Sequence, residues 1–375
     1  SDLTQVMLGP CCTQILGDFG ADVIKIEKPR SGDLSRWSVA GEGANNPVFQ
    51  SLNRNKRSLA LDLRGETGKA IVRDLVMKAD VVVSNFRPGV MERMGFGYAD
   101  LAKLNPRIIY ATGTVFGPIG PDAAREGADL AGQAAGGLIS TTGTNGGEPT
   151  PVGVTIADFI ASQSMANGIL AALIARGRSG RGQRVDVSLV GSQIWAQASE
   201  YCSFGLSGEQ PGRSNYGHPL IHAAYFIVPT KDGWLALIGV PLPLRTAFYE
   251  AIGRPDLGGD ERFSPGLYSP EVKAQLHAEF CAVFPQRSTS EWCEILRAAG
   301  QRYAPVRGYA EVMDDPQMWE NGYLSVLKHP EWGDVRMPGV PIRMSDTPLR
   351  PGDSLAELGQ DTELVLMELC FGWEQ

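Results

Sequence analysis

The chain has 375 residues, 43% hydrophobic and 20% charged, so it is long enough for two or three domains and has the composition of a globular protein. Its formal net charge of −8 argues against nucleic acid as a general partner. We see no apolar run of membrane-spanning length and no signal pattern in the first residues, so we expect no membrane partner.

The first 190 residues alternate strand and helix patterns. In chain order these are the tail of a strand at residues 1–8, a helix over 9–20, strands over 21–27 and 58–63, a helix over 65–79, a strand over 80–86, a helix over 98–105, a strand over 107–117, the helix that contains Asp158, a strand over 183–190 and a helix over 191–202. Short apolar strands separated by helices predict parallel βαβ units. Right-handed crossovers then give a doubly wound α/β sheet, with ligands beyond the carboxyl ends of the strands.

The pattern changes after Gly205. A Pro/Gly-rich linker is followed by a β-hairpin over 223–240, which turns at Lys231-Asp232-Gly233, and by helices over 242–253, 270–284 and 289–300. Residues 316–352 are again rich in Pro and Gly, and a helix closes the chain over 358–372. We therefore predict a large domain over 1–200, a linker over 201–219, a small α+β domain over 220–315 and a return segment over 316–375.

The helix after Asp158 has no charged residue between Phe159 and Ala175 and is rich in small side chains, which predicts burial on most of its surface. A carboxylate at its N-terminus is held ionised by the helix dipole and the free N–H groups. That is where a nucleophilic carboxylate is expected. It is equally where an ordinary N-cap is expected, and this residue alone leaves both interpretations open.

Several standard motifs are missing: the chain has no GxGxxG after the first strand, no GxxxxGK[ST], no HExxH and no GxSxG. His218 and His222 have helical spacing, but Pro219 lies between them, so we expect no metal site. The six cysteines show no framework spacing, which argues against a disulfide scaffold and predicts a reducing compartment, the cytoplasm.

Three basic loops lie near predicted strand ends in the N-terminal third. They contain Lys28, Arg30 and Arg36; Arg54, Lys56, Arg57 and Arg64; and Asn85-Phe86-Arg87-Pro88-Gly89 with Arg93. Arg binds phosphate with a bidentate fork, and an aromatic face such as that of Phe86 suits a purine. Each loop alone is typical of a solvated surface, but three at one sheet edge favour a nucleotide-like anionic ligand.

Four stretches, residues 9–36, 53–63, 79–101 and 153–190, resemble the class III CoA-transferases in sequence and in order. Formyl-CoA transferase and carnitine CoA-transferase are the type members, and α-methylacyl-CoA racemase shares their fold. The resemblance covers essentially the whole chain and is strongest over 4–195. It implies a Rossmann-like large domain completed by the C-terminal segment, a smaller domain, and an interlocked homodimer.

The resemblance also implies roles for single residues. The family's nucleophilic aspartate corresponds to Asp158, coenzyme A is the cofactor-like substrate, and no metal is implied. The positions that contact coenzyme A in the family correspond to Lys28, Leu61, Arg64, Asn85, Phe86, Arg87, Arg93 and Met94, with a further contact near Arg125.

Two departures narrow the function. Met7 replaces a glutamine of formyl-CoA transferase, which argues against formate–oxalate exchange. Gly127-Ala128-Asp129 replaces the Gly-His-Asp of the racemase branch, so two-base proton transfer loses its histidine. We predict an enzyme that moves CoA from an acyl-CoA donor to a carboxylic acid acceptor. A racemase-like enzyme and a non-catalytic CoA-binding protein are the alternatives.

The predicted mechanism passes through an aspartyl anhydride and an aspartyl-CoA thioester on Asp158. Backbone N–H groups of residues 6–8, or of the Gly-rich stretch 132–147, are the candidate donors to the oxyanions that develop. The alternative for the Gly-rich stretch is a flexible surface turn.

Overall fold

The computed structural model describes residues 1–37, 46–240, 242–263, 268–329, 332–349, 351–352 and 354–371. It divides into two compact units. The first comprises Ser1–Leu138, Pro151–Gln197 and Asp315–Gln375, and the second comprises Ile139–Thr150 and Ala198–Asp314.

Strands and helices alternate up to residue 197, as the sequence predicts. They are β1 (Asp2–Leu3), α1 (Leu8–Asp18), β2 (Val23–Glu27), α2 (Pro47–Asn53), β3 (Lys56–Ala60), α3 (Glu66–Lys78), β4 (Val81–Ser84), α4 (Val90–Arg93), α5 (Tyr98–Leu104), β5 (Ile109–Thr114), α6 (Asp129–Ala135), α7 (Leu138–Thr141), α8 (Ile156–Ser179), β6 (Arg184–Ser188) and α9 (Leu189–Ala196).

The remaining elements are mostly helical. Between residues 198 and 314 they are α10 (Ala198–Ser207), β7 (Tyr225–Pro229), β8 (Trp234–Ile238), α11 (Arg245–Ala251), α12 (Pro255–Gly258), α13 (Pro270–Val283), α14 (Thr289–Ala298), β9 (Tyr303–Pro305) and α15 (Tyr309–Met313). After residue 314 they are α16 (Pro316–Glu320), β10 (Leu324–His329), β11 (Gly333–Pro338) and α17 (Thr362–Glu368).

The first unit is built on a six-stranded sheet with the order β3-β2-β1-β4-β5-β6. Every neighbouring pair is parallel. The chain winds outward from β1 to β3, returns to β4 beside β1, and continues in the opposite direction. This reversal opens a crevice between the loops that follow β1 and β4, where doubly wound sheets bind ligands. The predicted α/β class with a parallel, Rossmann-like sheet is confirmed.

Helices cover both faces of this sheet because each strand carries apolar side chains on both sides. On one face α3 buries Val72 and Val76 against Val82 of β4. On the other face α8 buries Ala161 and Met165 in the same core as Val83 and Ile109. Burying one such aliphatic side chain stabilises the fold by about 1.5–3 kcal/mol.

Helix α8 lies close to the sheet because its buried side chains are small. Gly113 on β5 fits the same purpose, since a Cβ there would collide with Leu8 and with Met165 of α8. By length and composition alone, α8 is long and apolar enough to cross a membrane, which the sequence did not lead us to expect. Its contacts with α1, β5, β6 and α9 are those of a core helix.

The second unit has an antiparallel sheet of order β7-β8-β9. The predicted hairpin turn is present, and Asp232 in it accepts hydrogen bonds from the N–H and hydroxyl of Thr289 (2.7 and 2.9 Å) at the start of α14. The core is aromatic and includes Phe226, Phe280 and Trp292, supplied by β7, α13 and α14.

Three stretches differ from the sequence prediction. The Gly-rich stretch 132–147 is partly helical, since α6 and α7 occupy much of it, and residues 139–150 belong to the second unit rather than to a large domain that continues to residue 200. Residues 201–207 of the predicted linker belong to α10, and the Pro/Gly-rich stretch 316–352 contains the hairpin β10–β11.

The C-terminal segment covers the exposed edge of the large sheet. Ser58 of β3 donates its N–H to the Asp361 carboxylate (2.8 Å), and the Asp361 N–H donates to the Ser58 carbonyl (3.0 Å). The Ala60 N–H donates to the Thr362 hydroxyl (3.0 Å). These bonds satisfy an edge strand that would otherwise expose unpaired backbone groups.

Candidate active site

A cavity of about 690 Å³ opens at the crevice between the loops after β1 and β4. All of its lining residues belong to the first unit. They come from the loops after β1, β2, β4 and β5, from the end of β5 and from the starts of α1, α8 and α9: Gln5, Val6, Met7, Leu8, Leu34, Asn85, Phe86, Arg87, Pro88, Gly113, Thr114, Val115, Ala123, Arg125, Glu126, Gly127, Ala128, Asp158 and Leu189.

The turn from Gln5 to Leu8 forms one wall and is held from two sides. The Asn85 side chain accepts the Gln5 N–H (2.8 Å) and donates to the Gln5 carbonyl (2.7 Å). Asp33 accepts the Val6 N–H (3.0 Å), which fixes Val6 at a φ of +66°. A β-branched residue is rarely found in this left-handed region, and such strain concentrates at functional sites.

Asp158 lies in the first turn of α8 and faces the cavity, but it does not cap the helix. The first N–H groups of α8 all have other acceptors. Ile156 donates to the Val154 carbonyl (2.8 Å), Ala157 and Asp158 donate to Asp129 Oδ1 (2.7 and 3.1 Å), and Phe159 donates to the Thr155 carbonyl (3.2 Å). The interpretation of Asp158 as an N-cap is therefore wrong, because Asp129 provides that cap from α6.

The expectation that the helix end favours an ionised Asp158 is also wrong. Burial raises the pKa of Asp158, the Asp129 carboxylate raises it further, and the Leu8 N–H lowers it by donating a hydrogen bond. The result is a pKa of about 7. Among the described residues no Lys, Arg or His forms an ion pair with Asp158. A basic, partly buried carboxylate of this kind is typical of a reactive group.

The starts of α1 and α8 are joined beneath the cavity. Ser162 donates its hydroxyl to the carbonyls of Leu8 and Asp158, at 2.7 Å each. Position 9 is a glycine, because a Cβ there would collide with the Thr4 side chain. The Leu8 N–H is consequently fixed toward the Asp158 carboxylate. Burial raises the pKa of the nearby Cys11 thiol, so that group remains a neutral core residue rather than a nucleophile.

Four of the residues assigned to coenzyme A line the same cavity as Asp158: Asn85, Phe86, Arg87 and Arg125. The oxygen and the nitrogen of the Asn85 side-chain amide are both hydrogen-bonded to the Gln5 backbone, so this side chain shapes the site. Arg87 forms an ion pair with Glu126, and Arg125 lies over the Phe116 ring with its guanidinium carbon 4.8 Å from the centroid.

The other assigned residues do not line this cavity. Lys28 is exposed just after β2, and Arg64 is exposed beyond β3, where it pairs with Asp62 (2.7 Å). Leu61 is buried in the core, Arg93 ends α4, and Met94 packs against the same core as Leu61. These positions follow β2, β3 and β4, at the same sheet edge as the cavity.

Three cations of the predicted basic loops are not available to a ligand. Arg36 pairs with Glu27 (2.8 Å), Arg54 with Asp18 (2.9 Å) and Lys56 with Asp2 (3.1 Å), and all six side chains are buried. The idea that each basic loop presents its charges to an anion is therefore wrong for these side chains. Asp18 and Asp2, the partners of Arg54 and Lys56, lie far away in the chain, so no local pattern indicates these two pairs.

Sequence reasoning missed two carboxylates that shape the site. Asp129 was considered only as the end of Gly127-Ala128-Asp129, although it caps α8. Asp33 lies in the first basic loop, where it holds Val6 and pairs with Lys25 (2.7 Å). Among the described residues, no group of three or more His, Cys, Asp or Glu side chains is arranged to hold a metal ion.

The comparison with protein families decides the identity. The model of CoA-transferase family III matches residues 1–362. The chain is a family III CoA-transferase. The family predicted from the sequence is thus confirmed, and coenzyme A thioesters are the substrates of this family.

Individual relatives agree with this assignment. The chain is 31% identical to succinyl-CoA:glutarate CoA-transferase of Mus musculus over 98% of its own length and 84% of that protein. It is 36% identical to acetyl-CoA:oxalate CoA-transferase of Acetobacter aceti over 94% of its length and 90% of that protein. A CAIB/BAIF family protein from Brucella suis has a similar structure, with a TM-score of 0.86, 32% identity and coverage of 98% and 97% of the two chains.

Proposed function

We propose that this CoA-transferase moves CoA from an acyl-CoA to a carboxylic acid by covalent catalysis on Asp158. The observation that carries the proposal is the state of that carboxylate. It faces the cavity without an ion-pair partner among the described residues, it is not used as a helix cap, and its pKa is raised to about 7. A carboxylate with a purely structural role is normally paired or hydrogen-bonded to backbone N–H groups.

The first half-reaction begins when ionised Asp158 attacks the thioester carbonyl of the donor. The C–S bond breaks, giving an aspartyl anhydride and CoA thiolate. The thiolate then attacks the Asp158 carbonyl carbon, which forms an aspartyl-CoA thioester and releases the donor acid as a carboxylate. No net proton transfer occurs.

The second half-reaction runs the same steps in reverse order. The acceptor carboxylate attacks the aspartyl-CoA carbonyl and displaces CoA thiolate, which leaves a new anhydride. The thiolate then attacks the acceptor's carbonyl carbon, releasing the new acyl-CoA and the free Asp158 carboxylate. Each intermediate is a reactive acyl group of comparable energy, which suits a carboxylate nucleophile.

The start of α1 is the proposed oxyanion site. The Leu8 N–H already donates to Asp158 and lies at the N-terminus of a helix, where the dipole favours negative charge. Loss of one such donor typically reduces kcat by about 10²–10³-fold. The rigid turn held by Asn85 and Asp33 supports this role.

Coenzyme A is proposed to lie along the carboxyl edge of the sheet. Phe86 and Arg87 line the cavity, and Lys28, Arg64 and Arg93 follow β2, β3 and β4 along that edge. Arginine and lysine suit the phosphates of the nucleotide. Arg87 would have to exchange Glu126 for a phosphate.

A small dicarboxylic acid is the proposed acceptor class. The printed names of the two enzymes described above contain glutarate and oxalate, and both are dicarboxylates. A second carboxylate needs a cation, and Arg87 and Arg125 are the cavity-lining cations in the described part of the chain.

An interlocked homodimer in the cytoplasm is proposed as the working form. Within the first unit, Phe159 and Ile174 of α8 and Ile194 and Trp195 of α9 are exposed, Trp195 by 75%. Large apolar side chains on neighbouring helices are typical of an interface. All six cysteines are unpaired, in keeping with a reducing compartment.

The experiment that tests the function traps the covalent intermediate. The enzyme is incubated with acyl-CoA, treated with hydroxylamine or borohydride, and digested for mass spectrometry. We expect modification at Asp158 and none in Asp158→Ala. Label exchange between acyl-CoA and free acids, led by dicarboxylates, then identifies the acceptor. Modification at another residue, or an active Asp158→Ala variant, contradicts the mechanism.

Two control observations separate the alternatives. Tight CoA binding without label exchange across a broad panel of acids would favour a non-catalytic binding protein. Deuterium entering Cα of a 2-methylacyl-CoA without an acceptor acid would favour a racemase. Ala128 lines the cavity where a racemase would place histidine, and none of the four histidines lines that cavity.

A further inference from the structure

Asp129 lies beside Asp158, and the mechanism above does not use it. We propose that Asp129 is a positioning residue that occupies the N-terminus of α8, so that the Asp158 carboxylate stays off the helix's own N–H groups and remains a strong nucleophile. This inference rests on the proposed function and extends it. Asp129 itself touches no reacting atom.

The hydrogen bonds at the start of α8 show that Asp129, and not Asp158, accepts the N–H groups there. Asp158 is the third residue of the helix, from which an acidic side chain can fold back onto the N-terminal N–H groups. Asp129 Oδ1 already accepts the N–H groups of Ala157 and Asp158, at 2.7 and 3.1 Å. A carboxylate that accepts several N–H groups becomes a weak base, and Asp158 is spared these two hydrogen bonds because Asp129 accepts them.

Asp129 is itself held firmly. Gln133, one turn later on α6, donates its side-chain amide to Asp129 Oδ2 (2.6 Å) and accepts the Val152 N–H (3.0 Å). Asp129 and Gln133 are both buried. The cap is therefore fixed by the residues just before α8 and by α6, and it does not depend on Asp158.

Polar and charged groups from several parts of the first unit face Asp158. From α1 they are the Leu8 N–H and the neutral Cys11 thiol; from α6, Asp129; and from the cavity loops, Arg87, Arg125 and Glu126. Arg87 is paired with Glu126, and Arg125 with Asp122 (3.5 Å). Asp129 is therefore the charged group that acts on Asp158, and it acts by repulsion.

The consequence is a nucleophile that is more basic than a helix-capping aspartate. Nucleophilic reactivity rises with basicity, while the fraction that is ionised falls. A carboxylate whose pKa lies close to neutral pH is both a strong nucleophile and partly ionised at the pH of a cell. Removing the charge of Asp129 should therefore raise the ionised fraction of Asp158 at low pH and lower the rate at high pH.

The test uses the full chain in four forms: wild type, Asp129→Asn, Asp129→Ala and the control Asp80→Asn. Asp129→Asn keeps an oxygen that accepts the two N–H groups but removes the charge. Asp80 pairs with Arg176 at the far end of α8 (2.7 Å), so its variant removes the same charge away from the site. The Asp158 carboxyl is titrated by ¹³C NMR, with Asp158→Asn to assign its signal.

We expect Asp129→Asn to lower the titration midpoint of Asp158 by about one pH unit, the size of a typical charge effect. Asp80→Asn should leave it unchanged. In Asp129→Ala, the two N–H groups are released to Asp158, and adduct formation at pH 9 should fall by roughly tenfold or more, since the nucleophile turns away from the thioester.

An unchanged midpoint in Asp129→Asn, or a wild-type rate in Asp129→Ala, overturns the proposal. If Asp129→Asn does not fold, Gln133→Met loosens Asp129 without changing any charge. A smaller decrease of the midpoint is then expected, and no decrease has the same negative meaning. The NMR midpoint can be measured without enzyme activity. Absence of any adduct in all forms would therefore contradict the proposed function, while the midpoints would still decide the role of Asp129.

Discussion

Two groups of carboxylates in the interior of the first unit differ in whether a cation lies beside them. Asp2 and Asp33 are fully enclosed, and burial alone would raise their pKa values. Lys25 and Lys56 outweigh it, and the pKa of each carboxyl lies below its usual range. Asp158 is less buried but has no such cation, and its pKa is raised to about 7. A cation partner, which Asp2 and Asp33 have and Asp158 lacks among the described residues, accounts for the opposite directions of these pKa shifts.

The two groups are also mechanically linked. Asp33, fixed by Lys25, accepts the Val6 N–H and holds the turn that ends at Leu8, whose N–H donates to Asp158. The neutralised cluster holds the turn in place, and the uncompensated carboxylate beside it is the proposed nucleophile. Natural sequences violate the rules of stable packing mainly at functional sites, and Asp158 fits that expectation.

The largest expected effect comes from removing the uncompensated carboxylate. Asp158→Ala should reduce CoA transfer by roughly 10⁴-fold or more, the scale seen when a covalent nucleophile is deleted. Label exchange between acyl-CoA and acid measures this. Asp80→Asn is the control and should retain near wild-type activity. A variant of Asp158 that retains more than a tenth of the activity would remove the basis of the comparison.

The next effect comes from breaking the neutralised cluster. Asp33→Ala leaves Lys25 buried without its closest partner, and such a loss typically costs about 3–5 kcal/mol of unfolding free energy. It also releases the Val6 N–H, so activity should fall in the protein that remains folded. Urea unfolding measures the first effect and kcat the second. A stable and fully active variant would show that the cluster does not position the turn.

Asp158 itself should destabilise the fold at high pH. Its folded pKa lies above the unfolded value, so the folded state binds more protons between about pH 4 and pH 7, and stability decreases as the pH rises through that range. Asp158→Asn removes this term and should be more stable than wild type at pH 8 by at most about 4 kcal/mol. Near pH 4 the two should be equally stable. Thermal unfolding at both pH values checks this.

The pH dependence of activity follows from the same group. In the proposed mechanism only ionised Asp158 attacks, so kcat/KM should decrease as the pH falls below about 7 and should drop about tenfold per pH unit well below that value. A profile of kcat/KM from pH 5 to 9 with a stable donor measures the midpoint. A midpoint near 4 would show that a cation or additional N–H donors reach Asp158 in solution.

The sequence predicted the topology of the first unit because its apolar strands and amphipathic helices are short and regular. The end of β4 could be located from the pattern, which places Phe86 and Arg87 at the sheet edge, and the resemblance joins Asp158 to them; all three line one cavity. The pairing of Arg54 and Lys56 could not be predicted, because their partners Asp18 and Asp2 are distant in the chain. Strands β10 and β11 were missed because they lie in a stretch rich in Pro and Gly, which is typical of a loop.

The state of Asp158 was the main error, and its cause is instructive. A helix start predicts free N–H groups, and a local pattern contains no information about a second carboxylate that reaches them from another element. Asp129 lies 29 residues earlier and caps α8 from α6. Inference from the helix alone therefore predicts the wrong direction for the pKa of Asp158.

The smallest expected effect tests whether exposure matters as much as pairing. Arg57 and Asp22 form an ion pair at 2.5 Å whose Asp22 side chain is 66% exposed, in contrast to the buried pair of Lys25 and Asp33. Asp22→Ala should reduce the unfolding free energy by about 0–1 kcal/mol, since water already solvates both charges. The loss should shrink further in 0.5 M salt, whereas the loss in Asp33→Ala should persist because buried charges are poorly screened. Urea unfolding at two salt concentrations measures both, and equal losses in the two variants would show that pairing alone, without burial, sets the energy.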